Sequence, residues 1–485
     1  MRLWVHIPSK NEVFIKEYSI GQGYYSWNRF RIGITTDQIK LSLDYSNAKI
    51  FEVVAINASG DLVKIEKIDF EGLDKSCVKN LFDEQECFEN PPTFLSETYF
   101  DEIYFVRTAQ EFLDNEKPYE WTHPPLGKLI IASGIAFFSF SPFGWRLIGV
   151  LFATLMIPVV YIFAKKVFNS ITAAAISSLL LTFDFLHFTM ARIGTVDTFL
   201  VFFSLMSTLF FYLNFDSLWN TGRPSYKSIF FGVLFFFLAL AVKWTALYGL
   251  VGHFILFLAL SLRNFSEKRV IQRLGSILYS TLKIFAFFVI GGCIYLSTFV
   301  PYLAIGDDLV DIYEAHWRMY FYHAGLNATH PFSSEWWMWP LMIKPLWLFY
   351  AELPNGVVST IVALGNPAIW WVGFPLIFLG LWIGLGRMQA AYLFPASIFL
   401  FQWIPYIFIQ RCLFIYHYYP CVPLMILASS GFLSECWDNP KNRCAVKIYL
   451  IAVVLAFVLF YPVISGYPIP LWYKESLKLF RSWIF

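Results

Sequence analysis

Runs of about 20 apolar residues recur from Trp145 to Ser465, and each is long enough to cross a hydrocarbon core of about 30 Å. In lipid no water satisfies the backbone amides, so such runs must bond internally as helices. The pattern predicts ten spans, at 145–168, 171–190, 195–215, 228–242, 244–262, 277–300, 367–386, 391–410, 413–433 and 447–465. Composition agrees: 58% of residues are hydrophobic and 14% charged, with 53 Phe, 27 Tyr and 18 Trp, far from a soluble domain. A net charge of +2, with no basic patch interleaved with aromatics, argues against nucleic acid as a partner. Membrane lipids are the expected surroundings.

Basic residues in short loops fix the orientation of such a chain. Lys165 and Lys166, Arg223 and Lys227, Arg263, Lys268, Arg269 and Arg273, Arg387, and Lys441, Arg443 and Lys447 all fall in alternate loops, which therefore face the cytoplasm together. The opposite loops, on the outside, carry Asp101, Glu102, His123, Arg192, His330 and Arg411. Lys474, Lys478 and Arg481 in the tail go against this rule.

The first 95 residues read differently. Short alternating runs at Val13-Phe14-Ile15, Ile39 to Leu43 and Ile50 to Val54, broken by Gly, Asn and Asp, predict a small β-rich domain. No apolar span stands ahead of it although the topology puts it outside, so it either crosses as an N-terminal tail or follows an upstream span, and the upstream span is the expectation. Cys77 and Cys87 are near enough in sequence to pair there, and two free thiols fit equally well. Cys436 and Cys444 fall on the cytoplasmic side and should stay reduced.

Chemistry-bearing residues gather on the outer side. Thr98 to Asp114 reads as an amphipathic helix with the carboxylates Asp101 and Glu102 near its start. Those two diverge by about 100° around a helix, so they cannot share one role. Thr98 with Asp101 also has the spacing of a capping box. His123-Pro124-Pro125-Leu126-Gly127-Lys128 is an extended turn feeding a short apolar helix to about Phe140, too short to span and expected at the interface. The N-terminus of that helix, with His123 and Lys128, offers positive potential to an anion such as a phosphate, and an interfacial anchor with a snorkelling lysine is the plainer reading. Arg146 opens the first span, Arg192 and Asp197 bracket the turn into the third, where a brace between them is expected, and Lys243 interrupts the hairpin between the fourth and fifth. Arg411 and His417 flank the start of the ninth, and His330 to Pro340 is an outer stretch rich in Trp, suited to an interfacial belt or to stacking on a sugar. Ionisable groups at span ends are costly and are usually paired or functional. Collected at one surface, with no internal repeat, they speak against a transporter. No His/Cys cluster has metal-ligand spacing.

Taken in order, Phe100-Asp101-Glu102, His123 to Lys128, Gly144-Trp145-Arg146-Leu147, Arg192 to Asp197, Lys243-Trp244-Thr245, His330 to Pro340, Gly365 to Trp371 and Arg411 to Pro420 resemble the protein O-mannosyltransferases, C-type glycosyltransferases that use a lipid-carried sugar. The resemblance runs from about Phe100 to Ser465. It implies a C-type glycosyltransferase fold: an α-helical polytopic membrane protein with about ten transmembrane helices and interfacial helices, preceded here by the β-rich extracytoplasmic domain. It implies transfer of mannose from a polyprenyl-phosphate carrier to Ser or Thr hydroxyls of exported proteins, with inversion and no metal or other cofactor. By the same analogy Asp101 is the general base, Glu102 orients the acceptor, and Arg146, Lys128, His123 and Arg411 face the donor phosphate. Arg192, Asp197, Lys243, His330 and His417 are expected to bind substrate or to brace the site. A related enzyme moving another carrier-linked sugar, or using a glycan or lipid acceptor, would show the same motifs.

The chain departs from the family pattern in two ways. A span normally precedes the Asp-Glu loop, and the outer segment of roughly 65 residues at 301–365 is too small for the β-trefoil of eukaryotic members. The second departure points to a bacterial plasma-membrane enzyme with its active site outside. The expected division is a β-rich domain at 1–95, a catalytic membrane core at 96–300, an outer loop at 301–365 and a C-terminal four-helix region at 366–485.

Overall fold

The computed structural model describes residues 2–7, 11–17, 24–36, 38–42, 50, 52–69, 78–85, 88–263 and 270–485, with backbone alone for 2–17, 42, 262–263 and 270–278. Cys77, Cys87 and the loop holding Lys268 and Arg269 lie outside the described residues. The chain forms two compact units, 1–103 and 104–485.

In the first unit, β1 (Arg2–Ile7), β2 (Asn11–Glu17) and β3 (Gln38–Ser42) form an antiparallel sheet in the order β2-β1-β3. The runs at Val13 and Ile39 fall on β2 and β3. Among the described residues the run at Ile50 gives no strand, and beyond it lies the isolated bridge Ile56 to Leu62. There the Asn57 side chain accepts from the amides of Ser59 and Asp61 at 2.9 and 2.8 Å and closes a turn where a ladder would need extended backbone. The unit ends on the Asp101-Glu102 turn, and α1 (Glu102–Leu113) runs on from it into the second unit.

The second unit is helical. After α1 come α2 (Leu126–Phe138), α3 (Pro142–Phe168), α4 (Ile171–Thr182), α5 (Phe185–Ala191), α6 (Asp197–Thr221), α7 (Tyr226–Val242), α8 (Ala246–Arg263) and α9 (Val270–Ser297). The outer segment holds α10 (Val300–Ala304), α11 (Leu309–Gly325) and the hairpin β4 (Leu346–Leu353) and β5 (Val357–Ala363). Then follow α12 (Pro367–Gly386), α13 (Ala390–Trp403), α14 (Val422–Asp438), α15 (Arg443–Ser465), β6 (Ile469–Pro470), which pairs with β5, and α16 (Leu471–Ser476). Among the described residues six helices are long and apolar enough to cross a membrane, and the bent pair α4 and α5 makes a seventh.

Local grammar sets the helix ends. Ser141 caps α3 by accepting from the Gly144 amide at 3.3 Å, Pro142 takes the first turn, and Asn169 closes the helix in the left-handed region after Lys165 and Lys166. The span expected at 171–190 is broken instead. Asp184 ends α4 and caps α5, accepting from the His187 amide at 3.0 Å, and the two pieces meet at 59°. The break exposes the Phe183 carbonyl, which Asn366 satisfies at 2.9 Å while the same amide reaches Val453 at 3.1 Å. Trp370 donates to the other Asp184 oxygen at 2.7 Å. The ninth span also starts later than expected, since 415–421 is a 3-10 segment around Pro420 that leads into α14.

A buried cluster of Phe112, Ala241, Tyr295, Phe299, Tyr302, Ile312 and Met319 fastens α11 to the ends of α1, α7 and α9. Ile312, Ala315 and Met319 mark its buried stripe, at the helical period. Two of the three tail charges that strained the topology are locally engaged. Lys474 is buried and donates to the Phe485 carbonyl at 3.0 Å, and Lys478 pairs with Glu475 at 2.5 Å.

Candidate functional site

Asp101 stands immediately before α1, because Phe100 takes a left-handed backbone (φ 52°) and delays the helix from Thr98 to Glu102. The expected capping box does not form: the Thr98 hydroxyl donates to the Tyr24 carbonyl. Glu102 does the capping, its carboxylate accepting from the Tyr99 amide at 3.2 Å. Glu102 is fully buried, so its reach is toward this turn and not toward solvent.

In the second unit, the segment ahead of α2 is held by Lys128. Its side chain is fully buried, and its ammonium donates at 2.7 Å to each of the Glu120 carboxylate, the Glu120 carbonyl and the His123 carbonyl. An ammonium has three hydrogens, so none remains for a phosphate. The expected phosphate contact by Lys128 is therefore replaced by a brace across the Pro-Pro turn. Glu120 also accepts from the Thr122 amide at 2.9 Å and from His123 Nδ1 at 3.0 Å. Burial would raise its carboxyl; Lys128 and His123 outweigh that and hold it well below the usual carboxylate range. An ionised carboxylate only accepts, so Nδ1 of His123 carries the proton and Nε2 is left with its lone pair. Burial pushes this imidazole down against the pull of Glu120. Gly127 admits this packing, since a Cβ there would lie 2.6 Å from Val196 Cγ1.

His323, at the end of α11, joins the turn from another element. Its Nε2 lies 2.8 Å from the Thr122 carbonyl, its ring is 5.0 Å from that of His123, and Arg411 donates to its Nδ1. Burial first, then the neighbouring His123 and Arg411, bring it down to about 3. Lys243 follows α7 and donates to Asp197, the first residue of α6, at 2.9 Å, with its ammonium 5.3 Å from the Tyr416 ring centroid. His417, buried on the 3-10 segment, lies among Lys243, Arg411 and His123. Five cationic or imidazole side chains from four separated stretches thus share one neighbourhood, where the carboxylates Asp197 and Glu120 pair with Lys243 and His123.

The other expected residues are placed otherwise. Asp197 pairs with Lys243 and not with Arg192, whose guanidinium donates to the Ser465 carbonyl at 3.1 Å and lies 5.0 Å from the Phe188 ring. Arg146 is half-buried in the first turn of α3, its guanidinium 5.9 Å from the Trp145 ring. Gly144 lets that turn close: a Cβ would lie 2.1 Å from the Ser139 carbonyl oxygen. His330 is exposed and packs its ring 5.1 Å from Phe414. Sequence reasoning missed Glu120 and His323. Glu120 lies three residues before His123, and His323 continues the buried stripe of α11, so the signals were present but not distinctive.

Residues 122–291 match the family described as dolichyl-phosphate-mannose-protein mannosyltransferase. Residues 308–483 match the C-terminal four-transmembrane region of protein-O-mannosyltransferase. The polyprenol-phosphate-mannose–protein mannosyltransferase of Corynebacterium glutamicum is 27% identical over 425 residues, covering 74% of this chain and 81% of that protein. Its counterpart in Mycobacterium tuberculosis is 25% identical over 438 residues, covering 76% and 83%. In structure, the chain is similar to the Saccharomyces cerevisiae protein O-mannosyltransferase Pmt1–Pmt2 complex bound to the sugar donor, with a TM-score of 0.69, 12% identity and coverage of 80% of this chain and 89% of that one.

Proposed function

The chain belongs to the protein O-mannosyltransferase family, membrane-embedded enzymes of the C-type glycosyltransferase fold, and from that premise we propose that it moves mannose from a polyprenyl-phosphate carrier to Ser or Thr hydroxyls of exported proteins. The observation that carries the reading is the convergence of His123, Lys243, His323, Arg411 and His417 from four stretches of the chain. Such a site suits a phosphate that must gain charge as it leaves. The relatives named as polyprenol-phosphate-mannose–protein mannosyltransferases supply the donor and acceptor classes.

In this reading the Asp101 carboxylate takes the hydroxyl proton as the acceptor oxygen attacks the anomeric carbon. The bond from that carbon to the phosphate oxygen breaks, its electron pair stays on the phosphate, and the sugar inverts. Arg411 and Arg146 stabilise the phosphate, where guanidinium donors match two oxygens at once. Glu102 contributes by fixing the turn that presents Asp101. The positive-inside pattern supports an active site on the outer face, and the bacterial relatives support a bacterial plasma membrane as its setting.

The test is to give membranes carrying the protein, or its Asp101→Asn variant, radiolabelled polyprenyl-phosphate-mannose and to follow label into protein. Asp101→Asn should lower transfer by about 10²-fold or more with donor binding retained. Full turnover by the variant would remove Asp101 as the base. Label entering a glycan or lipid instead of protein would remove the acceptor assignment.

A further inference from the structure

His323 lies in the outer helix α11, outside every motif that carries the family resemblance. It nevertheless touches two parts of the site at once. Hydrogen-bond valence fixes its protonation without ambiguity. The Thr122 carbonyl can only accept, so Nε2, at 2.8 Å, must carry the hydrogen. A guanidinium can only donate, so Nδ1, which receives Arg411, must present its lone pair. The imidazole is thus a neutral Nε2–H tautomer with both nitrogens committed. Around it stand His123, whose ring is 5.0 Å away, and the cations Arg411 and Lys243. A proton on Nδ1 would point at the arginine.

We propose that His323 is a positioning residue that fixes one edge of the Arg411 guanidinium and so aims its remaining donors at the phosphate of the lipid donor. The inference rests on the placement of Arg411 in the donor site given above. Arg411 has no other hydrogen-bond partner among the described residues, so without His323 a long side chain with many rotamers is unrestrained. α11 is itself anchored: Ile312 and Met319 sit in the buried cluster, His316 donates to the Ile312 carbonyl at 2.7 Å and accepts from Tyr295 at 3.0 Å, and the Tyr295 oxygen accepts from Trp244 at 3.2 Å. The outer helix therefore acts as a rigid arm that ties the His-Pro-Pro turn, through Thr122, to the arginine 88 residues further along. A fixed guanidinium is preorganised for charge that develops only as the phosphate departs.

The experiment measures binding of undecaprenyl phosphate, which carries no sugar, and donor KM and kcat for transfer, in the full-length protein in nanodiscs. The variants are His323→Phe, which keeps an aromatic ring but neither bond, and His323→Gln, whose amide can both accept from Arg411 and donate to Thr122. Arg411→Ala and the double variant with His323→Phe complete the set. His323→Phe should weaken lipid-phosphate binding and raise donor KM by about tenfold, with the protein still folded. His323→Gln should stay within about threefold of wild type, and the double variant should bind no worse than Arg411→Ala alone. Wild-type affinity in His323→Phe, or its loss adding in full to that of Arg411→Ala, overturns the proposal. If Arg411→Ala binds the lipid phosphate as wild type does, the placement of Arg411 fails and this inference with it. If the wild type binds the phosphate through Arg411 but moves no mannose, the proposed reaction fails and the positioning role stands.

Discussion

Lys128 and Glu120 show why a residue's chemistry cannot be read without its neighbours. Both are buried, and each is saturated by the other and by the turn between them. Breaking such a pair leaves an uncompensated buried charge, at about 3–5 kcal/mol. Lys128→Met should therefore lower the melting temperature sharply in detergent, and adding Glu120→Gln should recover part of the loss; a Lys128→Met variant as stable as wild type would refute the brace. His323 gives the pH dependence. Burial and nearby positive charge bring its imidazole down to about 3, against about 6.5 for a free imidazole. Between those values the unfolded chain binds a proton that the folded site refuses, so stability falls as the pH drops through that window and is unaffected above it. The non-titrating His323→Gln variant should therefore gain on wild type in melting temperature between about pH 7 and pH 5, and parallel curves would show that His323 does not titrate in that way.

At the scale of elements, the decisive event is the break between α4 and α5. A continuous apolar helix would have used its own carbonyls, but Asp184 caps a new helix and leaves the Phe183 carbonyl open. Asn366 closes it and ties α15 to the same point through Val453, while His187 Nδ1 and the Tyr419 hydroxyl meet at 2.8 Å. Buried acceptors left without a donor cost about 1–3 kcal/mol each. Asn366→Leu should thus destabilise by about 2–5 kcal/mol in thermal unfolding, and Asn439→Leu, in an exposed loop, should leave stability within about 0.5 kcal/mol. Equal effects of the two would mean that the break is held by packing alone.

Across the whole molecule, topology is the claim that everything else depends on. Lys165, Lys166, Arg223, Lys227, Arg387, Lys441, Arg443 and Lys447 are all exposed in the loops assigned to the cytoplasm. In a cysteine-depleted protein, cysteines placed at the exposed Tyr119 and Glu335 should react with an impermeant reagent from outside the cell. One at the exposed Asp438 should react only after the membrane is opened. The reverse pattern would invert the topology and move the cationic cluster to the cytoplasmic face.

The sequence by itself determined where apolar spans stand, because about 20 apolar residues in a row have one inexpensive home, and on which side of them the polar residues collect. It determined the motif glycines too: Gly127 and Gly144 sit where a Cβ would meet Val196 Cγ1 at 2.6 Å and the Ser139 carbonyl at 2.1 Å. Only the tertiary structure decided who meets whom. Asp197 had Arg192 close by in sequence and pairs with Lys243, 46 residues away, while Lys128 turns its charge into the protein. His323 reaches back 201 residues to Thr122. Periodicity tells which face of a helix is buried but is silent on what covers that face, and the energy of a charge depends almost wholly on what covers it.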